Sequence, residues 1–393
     1  MKINLAVIFG GKSVEHEVSV ISAVQAMASL NKEKYNIIPV YMTKSNEFYT
    51  GQQLFDINSY KNIPELLTNC TECILVRSEG KVSLIRQKMK KFGSNHISDI
   101  DVVFPIVHGT NVEDGALQGY IQTLDIPYVG CDVLSSAIGM DKFAMKILLK
   151  EAGFPVLDCC RFSDFEAENI DKCLDEVEAK FSYPVIVKPI NLGSSVGISK
   201  ASDRRSLENS IEESFQFADR ILVEPAIVKL KEINCAVVGD SEEAEASVCE
   251  EPVQCDEILS YNDKYVAGDK SGGSKGMATL KRKIPAEITA EQEKFIRKTA
   301  VDAFKYLGCC GVTRIDFMID MEDNKVYLNE INTIPGSLAF YLWEPKGVKY
   351  TDLLDRLINL ALKRYRKNEK INYSFETNIL SMGGSFGAKG SKR

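Results

Sequence analysis

Apolar and polar residues alternate along two neighbouring stretches, Thr313-Arg314-Ile315-Asp316-Phe317-Met318-Ile319-Asp320 and Val326-Tyr327-Leu328-Asn329-Glu330-Ile331-Asn332. That period of two is expected of half-buried strands. Residues 321–325, with Glu322-Asp323-Asn324 inside, read as the turn that makes them a hairpin. Alternation puts Arg314, Asp316 and Met318 on one face of the first strand, and Leu328, Glu330 and Asn332 on one face of the second. Counting back from the turn sets Asp316 opposite Glu330. At the other end of the chain, residues 3–9 form a continuous apolar strand that closes on Gly10-Gly11. A helical period follows over 15–30, with Val20, Ile21, Val24, Met27 and Ala28 on one side. Strands at 35–41 and 101–107 and a helix at 115–123 continue the alternation, which predicts an open, mostly parallel α/β sheet for the first third. Residues 45–96 are polar, and Lys88, Lys90 and Lys91 among them read as a solvated basic face.

A composition shift near Ala137 marks a boundary. A helix at 142–152 leads into a strand-rich middle, with strands at 183–188 and 196–199 and a glycine-containing turn at 191–195. A strand at 221–224 opens a third segment containing a polar loop at 256–277 and a helix at 290–307 before the hairpin. The helix at 352–366 is amphipathic through Leu353, Leu354, Leu357, Ile358 and Ala361. Residues 382–393 are glycine-rich and basic, the composition of a flexible tail.

At 393 residues the chain can hold two or three domains with well-formed cores. Its net charge of −7 gives no basic surface for nucleic acid, and no apolar run is long enough to span a bilayer. The first nine residues read as a buried strand rather than a signal peptide. Eleven cysteines raise the question of disulfides or zinc. Cys159-Cys160 and Cys309-Cys310 are adjacent pairs that rarely bridge to each other, and Cys70-Thr71-Glu72-Cys73 has no matching second pair. Free thiols in a reducing cytoplasm fit that spacing.

Asp316, Glu330 and Asn332 together make an all-oxygen set suited to Mg²⁺, which takes carboxylates plus substrate phosphates. The competing reading is a solvated acidic hairpin. Two neighbours weigh against it: Arg314 beside the carboxylates, and the loop Thr333-Ile334-Pro335-Gly336-Ser337, which can offer backbone N–H groups to an anion. Lys188-Pro-Ile-Asn-Leu-Gly193-Ser194-Ser195-Val196-Gly197 joins two strands, so it is not a P-loop, yet glycines beside hydroxyl residues let backbone N–H groups approach phosphate. With Lys142 upstream, it supplies the positive half of a nucleotide phosphate site. Gly10-Gly11-Lys12-Ser13 lacks the full dinucleotide fingerprint, which argues against a dehydrogenase.

Six motifs occur in one order: residues 10–19 (GGKSVEHEVS), His108-Gly109 with Glu113-Asp114-Gly115, Met140-Asp141-Lys142, the Lys188–Gly197 loop, Arg314-Ile315-Asp316, and Asn329-Glu330-Ile331-Asn332 running on to Gly336. In that order they resemble the D-alanine–D-alanine ligases of the ATP-grasp superfamily, over residues 3–366. The resemblance implies a three-domain ATP-grasp fold: an N-terminal open parallel α/β domain (1–137), a central subdomain (138–222), a C-terminal subdomain with the metal site (223–366), and a basic tail (367–393). It implies that ATP phosphorylates a first D-alanine and that the amine of a second attacks the acyl phosphate. Lys142, Lys188, Ser195, Glu224, Glu232 and Lys264 would bind ATP, and Asp316, Glu330 and Asn332 two Mg²⁺ or Mn²⁺ ions. Arg314 and the Gly336 N–H would stabilise the oxyanion. Glu15 and His108 would sit by the first D-alanine, with Ser194 and the lid residue Tyr265 closing over Glu15. Relatives place a serine five positions after the glycine; here Tyr341 stands there, with Phe340 and Trp343 beside it. That departure opens the choice of acceptor: D-alanine, or D-serine or another amino acid in specialised metabolism. A nucleotide-binding regulator without catalysis is a third reading, against which the intact charged set speaks. The resemblance further implies a cytoplasmic homodimer serving peptidoglycan synthesis, with no nucleic-acid or membrane partner.

Overall fold

The computed structural model describes residues 2–193, 196–252 and 282–373. Its strands form three sheets. The first contains β1 (Ile3–Gly10), β2 (Tyr35–Met42), β3 (Phe48–Thr50), β4 (Thr71–Ser78), β5 (Lys81–Arg86), β6 (His96–Ile100) and β7 (Val102–Ile106), in the order β6-β5-β4-β3-β2-β1-β7. The expected parallel arrangement holds where β1 pairs with β2 and with β7. The other four pairings are antiparallel. The sheet is therefore mixed, because the polar stretch 45–96 contributes β3–β5 and the start of β6 as a meander rather than remaining surface. Strand β1 is buried from Leu5 to Gly10 on both faces, which explains its unbroken apolar run.

The second sheet holds β8 (Cys160–Ser163), β9 (Val185–Pro189), β10 (Ser199–Ala201) and β11 (Arg220–Pro225), in the order β10-β9-β11-β8 and antiparallel throughout. The strand expected at 196–199 begins instead at Ser199. Residues 196 and 197 form a turn, with Gly197 at φ 73°, a conformation that side chains resist. The strand read at 221–224 as opening a third segment pairs within this second sheet. The third sheet comprises β12 (Leu230–Gly239), β13 (Ala244–Pro252), β14 (Arg282–Lys283), β15 (Gly311–Asp320) and β16 (Lys325–Asn332), in the order β14-β13-β12-β15-β16.

Among the described residues the α-helices are α1 (His16–Ser29), α2 (Ile63–Thr68), α3 (Ala116–Thr123), α4 (Val133–Met140), α5 (Lys142–Glu151), α6 (Ile170–Lys180), α7 (Arg204–Ser214), α8 (Ala290–Tyr306) and α9 (Tyr350–Asn368). None of them is long and apolar enough to cross a membrane. Capping fixes several starts: Thr289 and Gln292 form a reciprocal box at α8, and Asp141 caps α5 through the Ala144 N–H. Each sheet has its own apolar core, and one of these spans both ends of the chain. It joins β1, β2, β7 and α1 to Leu338, Leu342 and Trp343 and to the apolar face of α9. The segment after β16 is therefore packed onto the N-terminal sheet, which brings the 333–337 loop against α1 at Ser22.

Candidate active site

The β15–β16 hairpin places Asp316 directly opposite Glu330, and Arg314 opposite Asn332. Arg314 grips Asp316 with two parallel hydrogen bonds of 2.6 Å, and the Asn332 side-chain amide donates to the same carboxylate at 3.1 Å. This bidentate pairing holds the buried guanidinium firmly charged despite its desolvation. One expectation fails here. Leu328 was expected beside Glu330 and Asn332, but the pairing jumps from Asp316–Glu330 to Phe317–Leu328 and leaves Asn329 as an extra residue. This β-bulge reverses the alternation below Glu330. Leu328 consequently lies fully buried in the core with Phe317.

Two lysines reach the hairpin, Lys142 from α5 and Lys188 from the second sheet, and a third, Lys146, joins them through Glu224. Lys142 opens α5, and Lys146 lies one turn later on the same helical face. The Lys142 ammonium donates to the Leu192 carbonyl at 2.7 Å and lies 3.5 Å from Glu330 Oε2. Lys188 Nζ bonds Glu224 Oε1 at 2.5 Å and Asn329 Oδ1 at 3.2 Å, so the bulge residue links the second and third sheets. Lys146 Nζ is 2.8 Å from Glu224 Oε2. Burial alone would raise the Glu224 carboxyl, but the two ammonium groups outweigh it and bring it down to about 2. Burial lowers Lys146 despite the same partner.

The third component comes from the N-terminal unit. Glu15 is the residue before α1 and is almost fully buried. A Cβ added at Gly193 would stand 2.8 Å from Glu15 Oε2, and one at Gly109 would stand 2.9 Å from it, so glycines alone let these two loops close on the carboxylate. His108 is buried, with Nδ1 2.7 Å from the Ile334 carbonyl and Nε2 3.0 Å from Ser22 Oγ. A carbonyl only accepts, so Nδ1 carries the proton and Nε2 accepts from the Ser22 hydroxyl, which accepts in turn from the Ser337 N–H at 2.9 Å. Desolvation lowers the His108 pKa and keeps the ring neutral. Glu113 receives the Ile334 N–H at 2.8 Å, the Thr333 hydroxyl at 3.1 Å and the Gly109 N–H at 3.0 Å. Burial, then the neighbouring Glu15, raise its pKa to about 7. These contacts hold a strained loop: Ser337, Leu338 and Ala339 have φ of 51°, 54° and 50°, a left-handed turn made without glycine. Such residues cost about 1–2 kcal/mol each and persist only where the surroundings fix them.

Tyr341 follows this turn and is buried. Its hydroxyl donates to Glu250 Oε1 at 3.2 Å, and the Arg282 guanidinium lies 4.0 Å from its ring centroid. Burial and the Glu250 charge raise its pKa.

Two family profiles match the chain, "D-ala D-ala ligase N-terminus" over 4–131 and "D-ala D-ala ligase C-terminus" over 148–359. The chain belongs to the D-alanine–D-alanine ligase family. It is 41% identical over 384 residues to the D-alanine–D-alanine ligase of Caldicellulosiruptor bescii, covering 95% of this chain and 99% of that one. The enzyme of that name from Thermosipho melanesiensis is 38% identical over 380 residues, covering 97% and 99%. Among solved structures, the D-alanine–D-alanine ligase from Coxiella burnetii shares 30% identity at a TM-score of 0.77, covering 94% of this chain and 96% of that one. A D-Ala:D-Ser ligase from Enterococcus faecalis shares 32% at the same TM-score, covering 92% and 100%.

Within this ligase fold, Glu15, Glu113, Lys142, Gly193, Glu330 and Asn332 line one cavity. Arg314 and Asp316 join it through the hairpin, and Lys188 and Glu224 through Asn329. Gly336 begins the left-handed turn. Glu232 lies on β12 opposite Met318, on the same sheet face but outside the cavity lining. Ser194, Ser195, Lys264 and Tyr265 lie outside the described residues. Lys146, Asn329 and Glu113 also belong to the constellation, although none was assigned a role from sequence. Lys146 had a legible signal, since a lysine on the buried stripe of α5 with Met145 and Leu149 needs an anionic partner. Asn329 had none, because a bulge is set by pairing rather than composition.

Proposed function

We propose that this chain joins two D-alanine molecules through an acyl phosphate made from ATP, supplying a dipeptide for peptidoglycan precursors. One observation carries the reading: Glu15 from the N-terminal unit, Lys142 from α5, and Glu330 and Asn332 from the hairpin meet around a single cavity. The near full-length similarity to enzymes named for this activity supports it.

In this reading a carboxylate oxygen of the first D-alanine attacks the γ-phosphorus of ATP and displaces ADP. The amine of the second D-alanine, having lost a proton, attacks the acyl carbon. The bond from that carbon to the phosphate oxygen then breaks, releasing phosphate and leaving the peptide bond. Lys142 and Lys188 hold the phosphates with Ser195 and Lys264, while Glu224 and Glu232 lie towards adenine and ribose. Asp316, Glu330 and Asn332 would hold two Mg²⁺ or Mn²⁺ ions, whose charge would neutralise the phosphates; their all-oxygen donors on adjoining strands fit such hard cations. Arg314 and the Gly336 N–H face the oxyanion of the tetrahedral intermediate. Glu15 neutralises the ammonium of the first D-alanine, and His108 acts beside it by fixing the 334–337 loop. Ser194 and Tyr265 close the site with Glu15, protecting the acyl phosphate from water. Tyr341 lines the acceptor end. The three units are 1–137, 138–225, with the boundary moved from 222 to keep β11 whole, and 226–366, with 367–393 as a tail, working as a cytoplasmic homodimer.

The test is phosphate release by the purified chain with ATP, Mg²⁺ and pairs of D- and L-amino acids, with products identified by mass. D-alanyl-D-alanine should dominate. Turnover only with D-serine or another acceptor would transfer the reading to that acceptor. No phosphate release with any pair would overturn it.

A further inference from the structure

We propose that His16 is a positioning residue for the first substrate: its ring, pinned by Tyr41, closes the turn from Gly10 to Glu15 and so holds the Glu15 carboxylate at the cavity. The role of Glu15 towards the ammonium of the first D-alanine belongs to the ligase reading above, on which this inference rests. His16 lies inside the 10–19 motif, where only Glu15 was given a role.

Strand β1 ends at Gly10 and α1 begins at His16, so residues 11–15 carry the chain from sheet to helix. Gly10 and Gly11 have φ of 95° and 96°, which turns the backbone out of the sheet in a way side chains resist. A Cβ added at Gly10 would stand 2.2 Å from the Met42 carbonyl oxygen and 3.2 Å from His16 Cε1, so the glycine also makes room for the imidazole. Further on, the Ser13 N–H donates to the Gly11 carbonyl at 3.0 Å, and the Glu15 N–H to Ser13 Oγ at 3.1 Å. The Gly11 carbonyl therefore anchors the backbone that carries Glu15. His16 Nδ1 reaches that same carbonyl at 2.7 Å.

The other edge of the ring meets the Tyr41 hydroxyl, 2.9 Å from His16 Nε2. A carbonyl only accepts, so Nδ1 carries the proton and Nε2 accepts from Tyr41. Burial lowers the His16 pKa and keeps the ring neutral; it pushes Tyr41 up to about 12 and keeps that hydroxyl a donor. Tyr41 is fixed in turn. It stands on β2 opposite Phe9 of β1, and its ring is edge-on to that of Tyr60 at 5.5 Å, whose hydroxyl donates to the Leu54 carbonyl at 2.9 Å. His16 thus passes the rigidity of the N-terminal sheet to a glycine turn that has little of its own. Glu15 needs it, because a Cβ at Gly193 or Gly109 would already stand 2.8 or 2.9 Å from its Oε2. A shift of about 1 Å in the turn would press the carboxylate into one loop or draw it off the substrate.

In the full-length enzyme, the first half-reaction is read by trapping the acyl phosphate with hydroxylamine, at varied D-alanine and then at varied ATP. His16→Ala should raise the D-alanine KM about tenfold, equivalent to about 1.4 kcal/mol and one hydrogen bond, and the ATP KM less than about twofold. In His16→Asn the amide nitrogen stands where Nδ1 stood and can still donate to Gly11, so most of the D-alanine KM should be recovered. In His16→Gln the amide reaches the place of Nε2, towards Tyr41, and the KM should stay near that of His16→Ala. Hydrogen exchange gives an arm without turnover: residues 11–15 should exchange faster in His16→Ala and His16→Gln than in wild type and His16→Asn. An unchanged D-alanine KM in His16→Ala, equal rises for D-alanine and ATP, or recovery by Gln as full as by Asn would each reduce His16 to a core residue and overturn the proposal. Where His16→Ala does not fold, the comparison of Asn with Gln decides. Wild type forming no hydroxamate would defeat the ligase reading, while exchange at 11–15 would still decide whether His16 holds the turn.

Discussion

Replacing Glu224 by glutamine changes one buried charge and almost no volume. Its two oxygens are 2.5 Å from the Lys188 ammonium and 2.8 Å from that of Lys146, and all three side chains are nearly inaccessible. The carboxyl titrates at about 2, against an ordinary 4.5. A depression of that size corresponds to roughly 3 kcal/mol of native-state stabilisation at neutral pH, at about 1.4 kcal/mol per unit. The sign follows from the folded value lying below the unfolded one. The contribution is complete above pH 4.5 and is lost as pH falls towards 2. Glu224→Gln also leaves two ammonium groups buried together, a loss commonly about 3–5 kcal/mol. Lys146, already lowered by burial, can limit the damage by releasing its proton. Urea unfolding followed by circular dichroism should show a loss of about 3 kcal/mol in the unit carrying β8–β11, and a flatter acid limb between pH 4.5 and 2. Tripolyphosphate, which carries no adenine, should recover part of the loss by supplying anionic charge to Lys188. A variant with the wild-type midpoint and acid limb would show that the two ion pairs contribute nothing net, and the reasoning would fail.

Asp316→Ala or Glu330→Ala should nearly abolish ATP-dependent phosphate release while leaving the circular dichroism spectrum intact, because each removes an anion needed to neutralise the phosphates. Near-normal turnover in either would remove the hairpin from the mechanism. Ser337→Gly should stabilise the enzyme by about 1 kcal/mol, since it relieves a left-handed residue worth about 1–2 kcal/mol against the 0.5–1 kcal/mol entropy cost of glycine. It also removes a buried hydroxyl oxygen that has no hydrogen-bond partner among the described residues; a lowered urea midpoint would contradict the strain. Leu328→Ala should cost about 2–5 kcal/mol, as expected of a buried core leucine. A loss below about 1 kcal/mol would favour a leucine facing the site and no bulge.

The hairpin was legible because its signal was local. Alternation and a polar turn set Asp316 opposite Glu330, and the structure pairs those residues, but through a turn one residue shorter than expected, with Asp320 opposite Lys325, offset by the bulge at Asn329. Helices α1, α5, α8 and α9 were legible through their apolar periods and fell within a few residues of their expected ends. What escaped the sequence depends on partners distant along the chain. The alternation of β4 and β5 is blurred by half-buried polar residues such as Thr71, Glu72 and Ser83, so a stretch dominated by charge concealed a meander. Tyr341 stands where the resemblance expects a serine, and nothing near it in sequence marks Glu250 or Arg282 as its neighbours. Lys146 and Glu224 are likewise separated in sequence by β8, β9 and β10, and only the fold makes them a pair.

The bulge at Asn329 makes the hairpin's function a matter of parity. Above it, Glu330 and Asn332 point with Asp316; below it, Leu328 points with Phe317 into the core. Substitutions in this stretch would alter one side chain each. Deleting Asn329, or inserting one residue between it and the turn, would invert every side chain on one side of the change, turning either carboxylates into the core or leucine into the cavity. The hairpin therefore tolerates changes of letter far better than changes of length, and its eight-residue return strand works as a reading frame for the site.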